Sequence, residues 1–109
     1  MKLTVGHISG VHHKAMDYAD QADRAKRDGN HDESLDLYLH AFILEKFAAE
    51  YHSSHLGYEP TRSVLFRSAA TLAGTCGLYE EMNRLAQSGL SGSPPAEIAI
   101  ELKSLLSGA

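Results

Sequence analysis

Apolar residues recur at three- and four-residue spacing along most of the chain, and no stretch sustains the alternation of β-branched residues that a half-buried strand needs. Residues 31–53 show this best. There Leu35, Tyr38, Leu39 and Phe42 form one apolar stripe, while Leu37, Ala41, Leu44, Ala48 and Tyr51 form a second on an adjacent face. Two apolar faces predict two helix neighbours. Gly29-Asn30, Gly57 to Pro60, Gly77 and the run SGLSGSPP at 88–95 break the pattern. The spacing predicts an all-α fold of about five helices, near residues 12–28, 31–53, 60–76, 78–90 and 94–107. Residues 1–11 are expected as a flexible N-terminal extension, and residues 12–109 as a single helical domain.

The helix ends carry their own signals. Asp17, Asp20 and Asp23 precede Arg24, Lys26 and Arg27 on the first helix, which suits the helix dipole. Gly29 supplies a left-handed C-terminal residue. Asn30, with Glu33 three residues on, is expected to cap the second helix. Pro60 and Pro94 fit first-turn positions, with Ser93 as the cap before Pro94. On the third helix Ala69, Ala70, Ala73 and Gly74 leave a low surface that a partner helix can approach closely. The last helix places Ile98, Leu102 and Leu105 on one side and polar residues elsewhere, as a terminal cap requires.

Composition narrows the functional classes. Apolar residues make up 43% and charged residues 22% of 109 residues, a balance that supports a packed core. The net charge of −4 and the scatter of the ten basic residues argue against a nucleic-acid binder, whose affinity rests on clustered Lys and Arg. No apolar run reaches the roughly 20 residues that span a bilayer, and the opening MKLTVGHISG lacks a signal peptide's apolar segment. A cytoplasmic protein that binds neither membrane nor nucleic acid is expected. Cys76, the single cysteine, excludes an internal disulfide and is expected as a buried small hydrophobe.

Candidate chemistry is sparse. Asp28, Asn30 and Asp32 alternate as in the first half of a calcium loop. Glu33 and Leu39, however, stand where that loop needs its glycine and its bidentate carboxylate. The stretch is therefore expected to be a turn. His12 and His13 diverge by about 100° on a helix and cannot readily chelate together. His52 and His55 share a face without the three or four ligands that stable zinc wants, and are expected as solvated residues at a frayed helix end. Ser53 and Ser54 lie between those histidines, but no G-x-S-x-G elbow is present. No cofactor, metal or catalytic residue is expected, and the chain reads as non-enzymatic.

An internal repeat appears when Gly29 is aligned with Gly77. Tyr18, Gln21, Ala22 and Ala25 precede the first glycine as Phe66, Ala69, Ala70 and Ala73 precede the second. Ser34, Tyr38, Ala41 and Lys46 follow it as Met82, Ala86, Gly89 and Pro94 follow the other. These offsets resemble the tetratricopeptide repeat over about residues 14 to 107. The glycines are 77 − 29 = 48 apart against a family period of about 34, so about 14 residues are added in the long second helix and the loop HSSHLGYEP. Lys46 also stands where the first copy should close with proline. The first hairpin is similar as well to the three-helix microtubule-interacting-and-trafficking domain.

The resemblance implies two antiparallel helical hairpins and a C-terminal capping helix, wound as an α-solenoid-like right-handed superhelix. It implies a groove, lined by the first helix of each hairpin, that takes a peptide segment of a partner protein. Carried over, the groove positions are Met16, Ala19, Asp23, Lys26 and Arg27 from the first helix and Val64, Arg67, Thr71 and Gly74 from the third. Lys26, Arg27 and Arg67 would bond partner carboxylates. Ala19 and Asp23 stand where the chaperone-binding members carry a carboxylate clamp, so that subtype is not expected. The alternative is a homo-oligomer formed through Phe47, Tyr51 and Leu56.

Overall fold

A computed structural model of the chain describes residues 2–107 and contains five helices. These are α1 (Val5–Arg27), α2 (His31–Tyr51), α3 (Thr61–Thr75), α4 (Tyr79–Leu90) and α5 (Ala96–Ser107), with no strand among the described residues. Met1 of the expected extension and residues 108 and 109 of the expected domain lie outside the described residues. Among the described residues, no helix is long and apolar enough to cross a membrane.

The turns after α1 and α3 share one geometry. Gly29 and Gly77 take φ of 82° and 76°, the left-handed region that a side chain would oppose. The amide of Asn30 donates to the carbonyl of Ala25 at 2.9 Å, and that of Leu78 to Ala73 at 2.8 Å. Gly29 donates to Lys26 at 3.1 Å, and Gly77 to Gly74 at 3.0 Å. This paired bonding satisfies carbonyls that a helix end otherwise leaves open, and is the Schellman arrangement. The 48-residue repeat seen in the sequence is therefore also a repeat of backbone conformation. Its aligned pairs Ala22 and Ala70, Ala25 and Ala73, and Ser34 and Met82 are all buried.

Each helix packs chiefly on its sequence neighbours: α1 on α2, α2 on α3, α3 on α4, and α4 on α5, with α5 returning to touch α3. The molecule is a slab of 41 × 38 × 21 Å, whose short dimension is about two helix diameters. Phe66, Leu85 and Leu102 are fully buried at the junction of α3, α4 and α5, each contributing on the order of 2 kcal/mol by burial. Gly89 lets these helices close up, because a Cβ there would lie 3.0 Å from both the Phe66 Cβ and a Leu102 methyl carbon.

Several helix ends differ from the sequence expectation. α1 starts at Val5, so residues 5–11, expected in the extension, belong to the first helix. The Thr4 hydroxyl accepts from the His7 amide at 3.2 Å, His7 Nδ1 accepts from the Thr4 amide at 3.1 Å, and Ile8 is 1% exposed. This capping box is closed by histidine in place of the usual Glu or Gln, with Gly6 inside it and Gly10 after it, which masks the helix start in the sequence. Asn30 precedes α2 without a side-chain capping bond. α5 starts at Ala96, with Ala99 donating to the Pro95 carbonyl at 2.9 Å, so Pro95 and not Ser93 stands before it.

Candidate functional site

The expected groove residues divide into two places. Met16 and Ala19 of α1 meet Arg67, Ser68, Thr71 and Leu72 of α3 along a crevice of about 270 Å³. Thr71 is shared with a second cleft of about 360 Å³, where Gly74, Thr75, Met82, Ser104 and Leu105 bring in α4 and α5. The two clefts adjoin at Thr71 as a furrow whose lining combines apolar side chains, hydroxyls and Arg67. Lys26 lines a third cleft at the turn of the first hairpin, with Tyr38 and with Thr75, which this cleft shares with the second. Asp23, Arg27 and Val64 line none of these three spaces.

Of the three cations expected to receive partner carboxylates, Lys26, Arg27 and Arg67, one is engaged with another element. Arg67 Nη1 donates to Glu101 Oε2 of α5 at 2.9 Å. Asp23 accepts a hydrogen bond from the Tyr38 hydroxyl, and this bond pushes the phenol up to about 12. Arg67, the cation that lines the furrow, is thus paired, and the rest of the lining is apolar or hydroxyl-bearing. Ser68 and Thr75 were not singled out in the sequence, although each lies four residues from an expected groove position, Val64 or Thr71.

Behind this crevice lies Glu45 of α2, fully buried. His12 of α1 places Nδ1 2.9 Å from both of its carboxylate oxygens. Toward the ionised form of that carboxylate, which only accepts, Nδ1 is the donor. Burial pushes the Glu45 carboxyl up, while His12, Ser68 and Arg67 pull it back. Glu45 therefore ties α1, α2 and the crevice wall of α3 together.

The histidine pair near the end of α2 corrects the expectation of solvated residues. His55 is exposed, but His52 is 1% exposed and packs against the rings of Tyr51 and Tyr58 with centroids 5.0 and 5.1 Å away. Burial pushes His52 down, so it is neutral at pH 7. Cys76 caps α3 half-buried, with its thiol pushed up by burial, which disfavours the thiolate a nucleophile needs. Among the described residues, no three His, Cys, Asp or Glu side chains are grouped so as to hold a metal ion.

On the opposite side, α2 and α4 are bridged by charge. Glu81 accepts from Arg84 Nε at 2.8 Å and from Lys46, which hold its carboxyl down at about 2, and Arg84 also reaches Glu50 at 3.3 Å. Beside this network Ile43 and Phe47 are 61% and 48% exposed. The chain matches no family model, no curated protein and no solved structure at a significant level.

Proposed function

We propose that this protein is a non-enzymatic interaction module that receives a peptide segment of a partner protein in the furrow over α1, α3 and α5. The observation that carries this reading is that the two clefts adjoin, with Thr71 lining both. Met16, Leu72, Met82 and Leu105 give a floor able to repack around apolar side chains, and methionine adapts readily to differently shaped partners. Ser68, Thr71, Thr75 and Ser104 give hydroxyls that can bond a peptide backbone or polar side chain. The tetratricopeptide-like spacing of the two hairpins, with α5 as the capping helix of a short solenoid, supports the same use of the surface.

The favoured ligand is an amphipathic segment led by apolar side chains, because Arg67 is already paired with Glu101. Selection of peptides from a displayed random library on the immobilised protein, followed by calorimetry, tests this. Enriched peptides should lose at least about tenfold in affinity to Met16→Glu or Thr71→Glu, each of which places a charge in the furrow. No enrichment, or equal binding by both variants, would refute the reading.

A second reading, self-association, is favoured by the exposure of Ile43, Phe47 and Leu56. Sedimentation of the wild type and Ile43→Glu/Phe47→Glu decides it. A concentration-dependent dimer lost in the variant supports it, and a monomer at all concentrations removes it.

A further inference from the structure

The first two turns of α1 are weakly held. Of residues 2–11 only Ile8 is buried and only Val11 half-buried, and Gly6 and Gly10 both disfavour a helix. Two histidines complete the hold. The capping box needs a lone pair on His7 Nδ1 to accept from the Thr4 amide, so the box closes only on a neutral imidazole. His52 lines, with Val5, Ile8 and Leu65, the hollow between α1 and its neighbours, and its Nδ1 is buried without a hydrogen-bonding partner. A proton on His7 removes the acceptor and sets a positive charge at the positive end of the helix dipole. A proton on His52 places an unpaired charge in the wall that Ile8 shares. The groups around His52 do not offset it. His12 of α1 is engaged with Glu45 of α2, and Arg62 of α3, bonded to the Ser53 carbonyl and beside Glu59, is itself a cation. Tyr51 and Tyr58 meet His52 through their rings, as does His55, which adds like charge when protonated.

We propose that residues 4–11 are an acid-released strap. At neutral pH they close over α2 and α3, and proton uptake by His7 and His52 unwinds them as far as the bond between His12 and Glu45, uncovering Leu65 while the rest of the domain stays folded. Histidine is the side chain that ordinarily changes charge between pH 5 and 8. Opening of a weakly held helix end is also the least costly opening a fold can make. His12 behaves oppositely to the other two and sets the hinge. Its Nδ1 bonds Glu45 whether the imidazole or the carboxyl takes up the extra proton, so α1 stays clamped from residue 12 onward. The strap does not depend on the furrow proposed for peptides, whose α1 lining begins beyond the hinge at Met16.

Backbone and methyl NMR of the full chain between pH 7.5 and pH 5.0 tests the assignment. The helical Cα shifts of residues 5–11 should fall by about half or more, with the Ile8 methyls moving toward their unfolded positions, while residues 14–26 keep their helical shifts. His7→Gln closes the same box with an acceptor that does not titrate, and His52→Phe keeps a ring that cannot charge. The double variant should hold residues 5–11 helical at pH 5.0. His7→Gln alone, at an exposed position, should recover at least about a third of the loss and covers the case in which His52→Phe fails to fold. His13→Gln, at an exposed histidine bonded to the Ser9 carbonyl, should leave the loss as it is. Residues 5–11 that stay helical at pH 5.0, or that are unwound already at pH 7.5, would overturn the proposal. So would loss of helix along all of α1 together, an undiminished loss in His7→Gln, or an equal recovery in His13→Gln.

Discussion

Nδ1 of His12 lies within hydrogen-bonding distance of both carboxylate oxygens of Glu45, across 33 residues of sequence, and Glu45 has no solvent exposure. A buried carboxylate is tolerable only with such partners, and removing one leaves a charge uncompensated.

His12→Ala is therefore expected to cost about 2–3 kcal/mol at pH 7 and less as pH falls, because burial favours the neutral form of Glu45. Adding Glu45→Gln should recover most of that loss. Because burial raises the folded Glu45 carboxyl above 4.5, its contribution to stability is present in full below pH 4.5 and is lost as pH rises through the folded value. The stability of wild type minus that of Glu45→Gln should fall over that range, as read by urea denaturation at several pH values.

His52 acts with the opposite sign. Its folded value lies below 6.5, so its contribution is present above pH 6.5 and is lost as pH falls through the folded value. The wild-type profile should be flattened by these opposing slopes. Glu45→Gln should uncover a stability that declines on acidification below pH 6.5, and His52→Phe in that background should remove the decline.

Arg62, 1% exposed, fastens the loop after α2 to the end of α4. Its Nε donates to the Ser53 carbonyl at 3.0 Å and its Nη2 to the Ser88 carbonyl at 2.9 Å, with the guanidinium 4.9 Å from the centre of the Phe66 ring. Lysine keeps the charge but not this fork. Arg62→Lys should cost about 2 kcal/mol and Arg62→Met about 3 kcal/mol in denaturant titrations. Glu59→Gln should soften the methionine variant, because Arg62 is the cation beside that buried carboxylate.

Two helical glycines should answer to alanine in opposite directions. A Cβ at Gly10 meets nothing within 4 Å, so Gly10→Ala should stabilise by roughly 0.5–1 kcal/mol through helix propensity. Gly89→Ala should destabilise by about 1–2 kcal/mol, since Phe66 and Leu102 already touch the vacant position. Thermal unfolding of both variants distinguishes the two effects.

Local information was enough for the five helices and both hairpin turns, because Gly29 and Gly77 must take a conformation that other residues resist. The two packed sides of α2 were also legible from its apolar spacing, although Leu35 of the first stripe proved exposed. What escaped was tertiary. Glu45 looks like one more charge on a helix until His12 is found beside it, and His52 looks solvated until the rings of Tyr51 and Tyr58 close around it. Periodicity records residue type along one helix and carries no information about a partner 33 positions away. The furrow was found in part for the same reason: Met16, Arg67 and Thr71 converge, whereas the direction of Lys26 depended on how the first hairpin ends.

The packing order gives the furrow a mechanical character. Among the described residues α1 meets α3 mainly by way of α2, so the two leaves on either side of the crevice share a spine rather than a seam. The gap between them is set by the girth of α2, and Glu45 with its clasp to His12 sits on that spine. A change of side chain on α2, far from the furrow's lining, would then alter the aperture, and with it the width of the segment proposed to lie there.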